Sequence, residues 1–315
     1  HPNAYCMGSG MAVSKSFVIW AERYLQNKHF GKHQECNTRC LIDKVTRFED
    51  EHKHPMNIDS MTADDLRVFA DFLSSDYDIS MNTIVTNMTL MRTVCNWVRK
   101  QGVTNNDPFF GYDMPKALYG TPYFLTIQER DQVLDADLTD DAELAEYRDM
   151  FVFQCMVGCR HSDLVTFTPK NIIDGVLEYI PIKTKGKSGD VVRVPLIPKA
   201  MAILDGHDHG DDEPIFPKHY NFKFNDAIRR ILKRAKVNRV VTVINPKTRL
   251  EEKKPISDVA TSHLARRTFI GNLYRMVKDP DLVASMSGHA KGSVAFARYR
   301  VIDDDMKKSL VELIQ

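Results

Sequence analysis

The chain has 315 residues, 43% hydrophobic and 27% charged, an ordinary composition for a globular protein and a length that suits about two domains. A formal charge of +1 gives no bulk preference for nucleic acid, so any basic surface has to come from local asymmetry. No apolar run nears the ~20 residues that cross a membrane, no secretory start is present, and six cysteines stand in no disulfide spacing, so a reducing cytoplasm is expected.

Residues 1–10 lack periodicity and read as a tag or a disordered N-terminus. Helices follow. Phe17, Ala21 and Tyr24 share one face, and so do Leu41, Val45 and Phe48. Thr62-Ala63-Asp64-Asp65 starts a helix that carries Leu66, Phe69 and Leu73. The clearest helix has Ile84, Met88, Met91, Cys95 and Val98 at three- and four-residue steps. Its other side, with Asn82, Thr86, Thr89, Arg92, Asn96 and Arg99, is polar without being acidic. Asn105 to Pro122 is rich in Asn, Gly and Pro, which predicts a domain boundary.

Thr126-Ile127-Gln128-Glu129 fits a capping box, and a second helix from Ala142 to Val157 is stopped by Gly158. The strong β signal comes next. Ile172-Ile173, the turn Asp174-Gly175, Val176 to Ile180, and Val191 to Val194 predict a three-stranded antiparallel meander. Phe222 to Lys236 is a helix with Phe224, Ile228, Ile231 and Ala235 inward. Arg229, Arg230, Lys233 and Arg234 cluster on it, opposed locally by Asp226 alone; this is either a solvated face or a phosphate-tracking element. Val240 to Ile244 followed by Asn245-Pro246-Lys247-Thr248 suggests a small hairpin, and helices fill the rest.

Cys36/Cys40 and Cys155/Cys159 are each one helical turn apart, but no matching Cys/His pair follows, so no metal is expected. His207-Asp208-His209-Gly210-Asp211-Asp212 contains metal-ligand types, yet it reads as a solvated loop before Pro214.

Three basic motifs lie in the C-terminal half. They are Gly158-Cys159-Arg160-His161-Ser162-Asp163-Leu164, then His263-Leu264-Ala265-Arg266, then Gly288-His289 followed by Arg298-Tyr299. Alone, Arg160 and Asp163 would be an ordinary ion pair, and His-x-x-Arg recurs by chance. Together they surround a phenol. A tyrosine with a pKa of about 10 is a poor nucleophile at neutral pH. Cleaving a phosphodiester without water or metal needs a nucleophile, cations for the non-bridging oxygens, a proton donor for the leaving oxygen, and groups that orient them. Arginine suits the second task because its planar fork binds two phosphate oxygens and keeps its charge.

These motifs, in this order, resemble the tyrosine recombinases, or phage integrase family, most closely the integrases of bacterial mobile elements. The histidine-to-tyrosine gap is one residue longer than is usual there, which affects the Ala290–Ala297 loop more than the choice of Tyr299. The resemblance implies a mostly α (α+β) protein. Residues 11–110 would be a helical, SAM-like core-binding domain, 111–122 a linker, and 123–315 a catalytic domain with the small three-stranded sheet. It implies that Tyr299 attacks DNA to give a 3′-phosphotyrosyl link. Arg160, Arg266 and His289 would stabilise the phosphorane, His263 would assist proton transfer, and Asp163 would support the active-site histidine. Lys183 would be the general acid, with Lys185 the alternative.

The resemblance further implies no cofactor and no metal, double-stranded DNA at recombination core sites as partner, a tetramer on that DNA, and accessory DNA-bending or directionality proteins. It implies a cytoplasmic, nucleoid-associated place in bacteria. Arg92, Asn96 and Arg99 would face DNA, as would Arg229, Arg230, Lys233 and Arg234. A type IB topoisomerase and a non-catalytic DNA-binding regulator on the same scaffold are the alternative functions.

Overall fold

The computed structural model describes residues 15–27, 31–186, 190–207, 210–217, 219–277, 279–288 and 311. The chain divides into two compact units. The first comprises His1–Tyr119 with Ile244–Leu250, and the second Gly120–Val243 with Glu251–Gln315.

The first unit is built from α1 (Phe17–Gln26), α2 (Lys32–His52), α3 (Ala63–Ser75) and α4 (Met81–Lys100). Each apolar face read from the sequence is buried in one core, where Phe17, Leu41, Val45, Phe48, Leu66, Phe69 and Met91 lose all solvent contact. The start of α3 is fixed locally. Thr62 accepts the Asp65 N–H while Asp65 accepts the Thr62 N–H, a full capping box. On the polar side of α4 the hydroxyls of Thr86, Thr89 and Thr93 donate to carbonyls one turn back, which spares them a search for other partners.

The second unit packs α5 (Ile127–Leu134), α6 (Ala142–Val157), α9 (Asn221–Arg234) and α11 (Ser262–Val277) around a second core. The Thr126–Glu129 capping box is present. From Met150 on, helix α6 is buried on every side, with Met150, Phe151, Val152, Phe153 and Val157 fully enclosed, so this half is the central rod of the unit. Between α6 and α9 lie the short α7 (His161–Leu164), the strands β1 (Ile172–Ile173), β2 (Val176–Tyr179) and β3 (Val192–Pro195), and α8 (Pro198–Asp205). The strands form the expected antiparallel meander in the order β1-β2-β3, with Leu177 opposite Val194 and Tyr179 opposite Val192. Asp174 and Gly175 both take positive φ, as a two-residue hairpin turn demands. The later hairpin also forms, from β4 (Val240–Ile244) and β5 (Glu251–Pro255). The short α10 (Ile256–Val259) precedes α11, and α12 (Pro280–Ser287) follows it.

Buried Cys95, Cys155 and Cys159 and exposed Cys36 and Cys40 are all free thiols, and burial pushes Cys95 up to about 12. Among the described residues no helix is long and apolar enough to cross a membrane, and no cluster of His, Cys, Asp and Glu is arranged to hold a metal.

Gly158 ends α6 in the left-handed region, at φ 68°. A Cβ added there would stand 2.2 Å from Phe269 Cδ1 on α11. Only glycine combines that φ with that close approach. Gly158→Ala is therefore expected to destabilise the protein by about 2–4 kcal/mol, the sum of a left-handed penalty and overpacking. Urea unfolding followed by circular dichroism checks this, and an unchanged midpoint would mean that the helix ends in another way.

Candidate active site

The site is assembled by the turn that follows α6. At its start the Gly158 carbonyl, left without an intrahelical partner, accepts Arg266 Nη1 from α11 at 2.7 Å. One residue on, the Cys159 carbonyl accepts Gln154 Nε2 at 3.0 Å. Arg160 then leaves this pinned turn as the N-cap of α7, with its side chain 22% exposed. Arg266 is only 2% exposed, so its charge sits inside the domain, against the carbonyl end of α6.

Asp163, on α7, is 1% exposed. Its Oδ1 accepts the Ile182 N–H at 2.9 Å, and its Oδ2 stands 4.0 Å from Arg160 Nη1. Among the described residues this carboxylate thus holds a backbone N–H and faces Arg160. That bond fixes the turn after β2. Pro181 O accepts the N–H groups of Thr184 and Lys185 at 3.0 and 2.9 Å. Lys183 and Lys185 are both exposed on this turn.

His263 is the second residue of α11. The residue as a whole is exposed, yet its imidazole is pushed down to about 4. Partial burial of the ring is the main cause, followed by the positive charges of Arg267, Arg266, Arg160 and Lys183. Three of those four charges are sequence candidates from three separate segments, so the histidine reports their convergence. Gly288 caps α12 with φ 65°, and a Cβ there would lie 3.0 Å from Val192 Cγ2 and 3.1 Å from Pro181 Cγ. The chain therefore leaves α12 against the base of the lysine turn. His289 and Tyr299 lie outside the described residues, as do the tail's apolar residues Val301, Ile302, Met306, Leu310, Leu313 and Ile314, whose roughly helical spacing suggests a terminal helix.

A sequence model described as the phage integrase family matches residues 123–306, and one described as the phage integrase SAM-like domain matches residues 16–114. The chain belongs to the phage integrase family. It is a tyrosine-type site-specific recombinase, an enzyme of DNA recombination. A search of curated proteins finds no match. Among solved structures, a phage lambda integrase fragment, a dimer bound to a COC′ core site, is 14% identical, with a TM-score of 0.67 over 91% of this chain and 95% of that one. A Tn1549 transposon integrase fragment in complex with a circular intermediate DNA is 15% identical, with a TM-score of 0.70 over 96% of this chain and all of that one. At such identities the likeness is one of fold.

The remaining candidates of this recombinase are placed as follows. On α4, Arg92 and Asn96 are exposed, and Arg99 pairs with Asp107 at 2.6 Å. On α9 the sequence offered one local acid, but the fold supplies a carboxylate to each cation. Arg229 meets Asp226 at 3.4 Å, Arg230 meets Asp141 at 2.8 Å, Lys233 meets Asp258 at 2.8 Å, and Arg234 meets Asp140 at 2.6 Å. His207 pairs with Asp149 at 3.5 Å. His161, inside the first motif, stacks on Phe224 with ring centroids 5.1 Å apart. Two residues escaped the sequence reading. Arg267 contributes the largest of the charges acting on His263 and lies 5.2 Å from the centroid of the Tyr123 ring. Tyr179 points inward from β2, a position that the alternation of that strand makes readable.

The low value at His263 sets a pH dependence. The folded protein binds this proton more weakly than the unfolded chain, whose histidine titrates near 6.5. Stability from this group is therefore complete above about 6.5 and drains away as pH falls to about 4. An imidazole NMR titration of the DNA-free protein is expected to give a midpoint near 4, with Arg267→Ala moving it upward. A midpoint near 6.5 would mean that the cations do not converge on this ring.

Proposed function

We propose that this recombinase is a site-specific integrase of a bacterial mobile element, which cuts and rejoins duplex DNA through a 3′-phosphotyrosyl intermediate on Tyr299. The observation that carries this reading is the joining of three segments at one place: Arg266 bonds the Gly158 carbonyl two residues before Arg160, and Asp163 holds the turn that bears Lys183. Such a cluster is suited to a phosphate whose charge rises on the way to a pentavalent state.

The Tyr299 oxygen attacks phosphorus, the bond from phosphorus to the 5′ oxygen breaks, and Lys183 supplies the proton that the leaving oxygen needs. His263, neutral at pH 7, would assist proton transfer by hydrogen bonding in the site, the phenol proton passing on to solvent because so depressed an imidazole is a weak base. Arg160, Arg266 and His289 neutralise the non-bridging oxygens. Asp163 holds the turn that carries Lys183. The energy of the broken bond is kept in the phosphotyrosine, so religation needs no outside supply.

The relatives of known structure are described on a core site and on circular intermediate DNA, which supports duplex DNA as the partner here. Arg92, Asn96 and Arg99 on α4 and the cations of α9 would track its backbone. Arg229, Lys233 and Arg234 would exchange exposed carboxylate partners for phosphates, a cheap exchange because such surface pairs contribute only ~0–1 kcal/mol. Strand exchange would proceed in a tetramer through a Holliday junction in the bacterial cytoplasm, aided by accessory DNA-bending or directionality proteins.

A nicked suicide duplex carrying the core site tests the reading. The protein should become covalently attached, and the DNA-linked peptide should contain Tyr299, while Tyr299→Phe should bind DNA and form no adduct. Attachment through another residue overturns the assignment. Recombined or junction DNA is the expected product from full sites; relaxed plasmid alone would mark a topoisomerase instead.

Arg160→Ala and Arg266→Ala should each slow cleavage by roughly a hundredfold or more, as loss of ~3 kcal/mol of preorganised charge stabilisation implies. Lys183→Ala should recover on a 5′-bridging phosphorothiolate, whose thiolate leaves without a proton. Recovery of Lys185→Ala, with Lys183→Ala unimpaired on ordinary DNA, moves the general-acid role two residues along.

A further inference from the structure

Tyr179 ends β2, opposite Val192, and is only 7% exposed. Its ring packs on Phe167, with centroids 4.9 Å apart. Its hydroxyl is buried and has no hydrogen-bond partner among the described residues. Among the other buried atoms that share that condition are Arg160 Nη1 and Asp163 Oδ2. The phenol is pushed upward by burial first, and the neighbours that act on it are Cys159, Arg266, Asp163 and Arg160.

The three unmatched atoms are complementary. A guanidinium nitrogen only donates, a carboxylate oxygen only accepts, and a phenol does both. A buried polar atom left unmatched is costly, and so a set that can satisfy itself tends to close, directly or across one water. Asp163 is already held at Oδ1 by the Ile182 N–H, which leaves Oδ2, 4.0 Å from Arg160 Nη1, to be shared. A second donor at Oδ2 would fix the carboxylate plane and, with it, the direction of the arginine fork.

We propose that Tyr179 is a positioning residue for Arg160, its hydroxyl linking to Asp163 Oδ2, directly after a small side-chain turn or across one water, so that the carboxylate holds the guanidinium in place for the scissile phosphate. The inference rests on the phosphate-cleaving reading of the site. It assigns the tyrosine no contact with DNA and no part in proton transfer.

The test compares single-turnover adduct formation on two suicide duplexes. One carries the normal scissile phosphate, and the other a methylphosphonate in which one non-bridging oxygen is a neutral methyl. With that charge gone, a group that works through Arg160 has less to contribute. Tyr179→Phe should form adduct about tenfold more slowly than wild type on phosphate, with DNA affinity unchanged, and within about twofold of wild type on methylphosphonate. Arg160→Ala should show the same pattern, more strongly.

The ratio of the two rates is internal to each protein, so it still reads out if Tyr179→Phe lowers the melting temperature. A wild-type rate on phosphate overturns the proposal, and so does a defect of equal size on both substrates, since a packing role would yield that. If wild type forms no adduct on phosphate, the reading beneath the proposal fails. That result differs from a tyrosine variant that behaves like wild type.

Discussion

One hydrogen bond sets the rest of the candidate site, from Arg266 Nη1 to the Gly158 carbonyl at 2.7 Å. It brings a nearly solvent-free charge onto the carbonyl end of the buried helix α6, where the backbone dipole is negative. An arginine this deep needs such acceptors, because desolvation of an uncompensated guanidinium would cost several kcal/mol. The same turn releases Arg160 two residues later, so one backbone corner positions both arginines. Glycine is what permits the corner. Its left-handed φ and the Phe269 ring against its α-carbon exclude a side chain, which keeps α6 and α11 in close contact at this point.

Charge is distributed to match. The chain is almost neutral overall, yet Arg160, Lys183, Arg266 and Arg267 act together on one histidine. Elsewhere the domain spends acids on its cations, as along α9, where Asp140, Asp141, Asp226 and Asp258 each answer a basic residue. Asp163 alone approaches the cluster from the described acids of the first motif, and its Oδ1 is committed to a backbone N–H. The positive field is thus left largely uncancelled at the place where an anion would bind.

Local chemistry made much of this legible in the sequence. The helix start at Thr62, the capping box at Thr126, the stop at Gly158 and the turn at Asp174-Gly175 depend on residues within four positions of one another, and each formed as read. The candidates Arg160, Asp163, Lys183, His263 and Arg266 were picked out by the family resemblance of their motifs, since the spacing of each alone recurs by chance. What escaped was long-range or weakly patterned. The carboxylates that meet Arg230, Arg234 and Lys233 come from residues 141, 140 and 258, distant in sequence. Helix α8 has only eight residues and opens with proline, too short for periodicity to reveal. The bond from Asp163 to the Ile182 N–H spans nineteen positions and involves a main-chain group, to which side-chain patterns are blind.

That bond also bears on how the β2–β3 connection can diversify. The lysine turn is secured upstream, by Asp163 at Ile182 and by the Pro181 carbonyl beneath Thr184 and Lys185. Gly186, at φ 83°, is the first residue beyond those anchors. Chain added or removed after it draws only on loop-closure entropy, which grows slowly with length. Lys183 is therefore insulated from the size of the hairpin that bears it, and a segment grafted between Gly186 and Val191 could take on new contacts without disturbing the residue proposed to release the leaving strand.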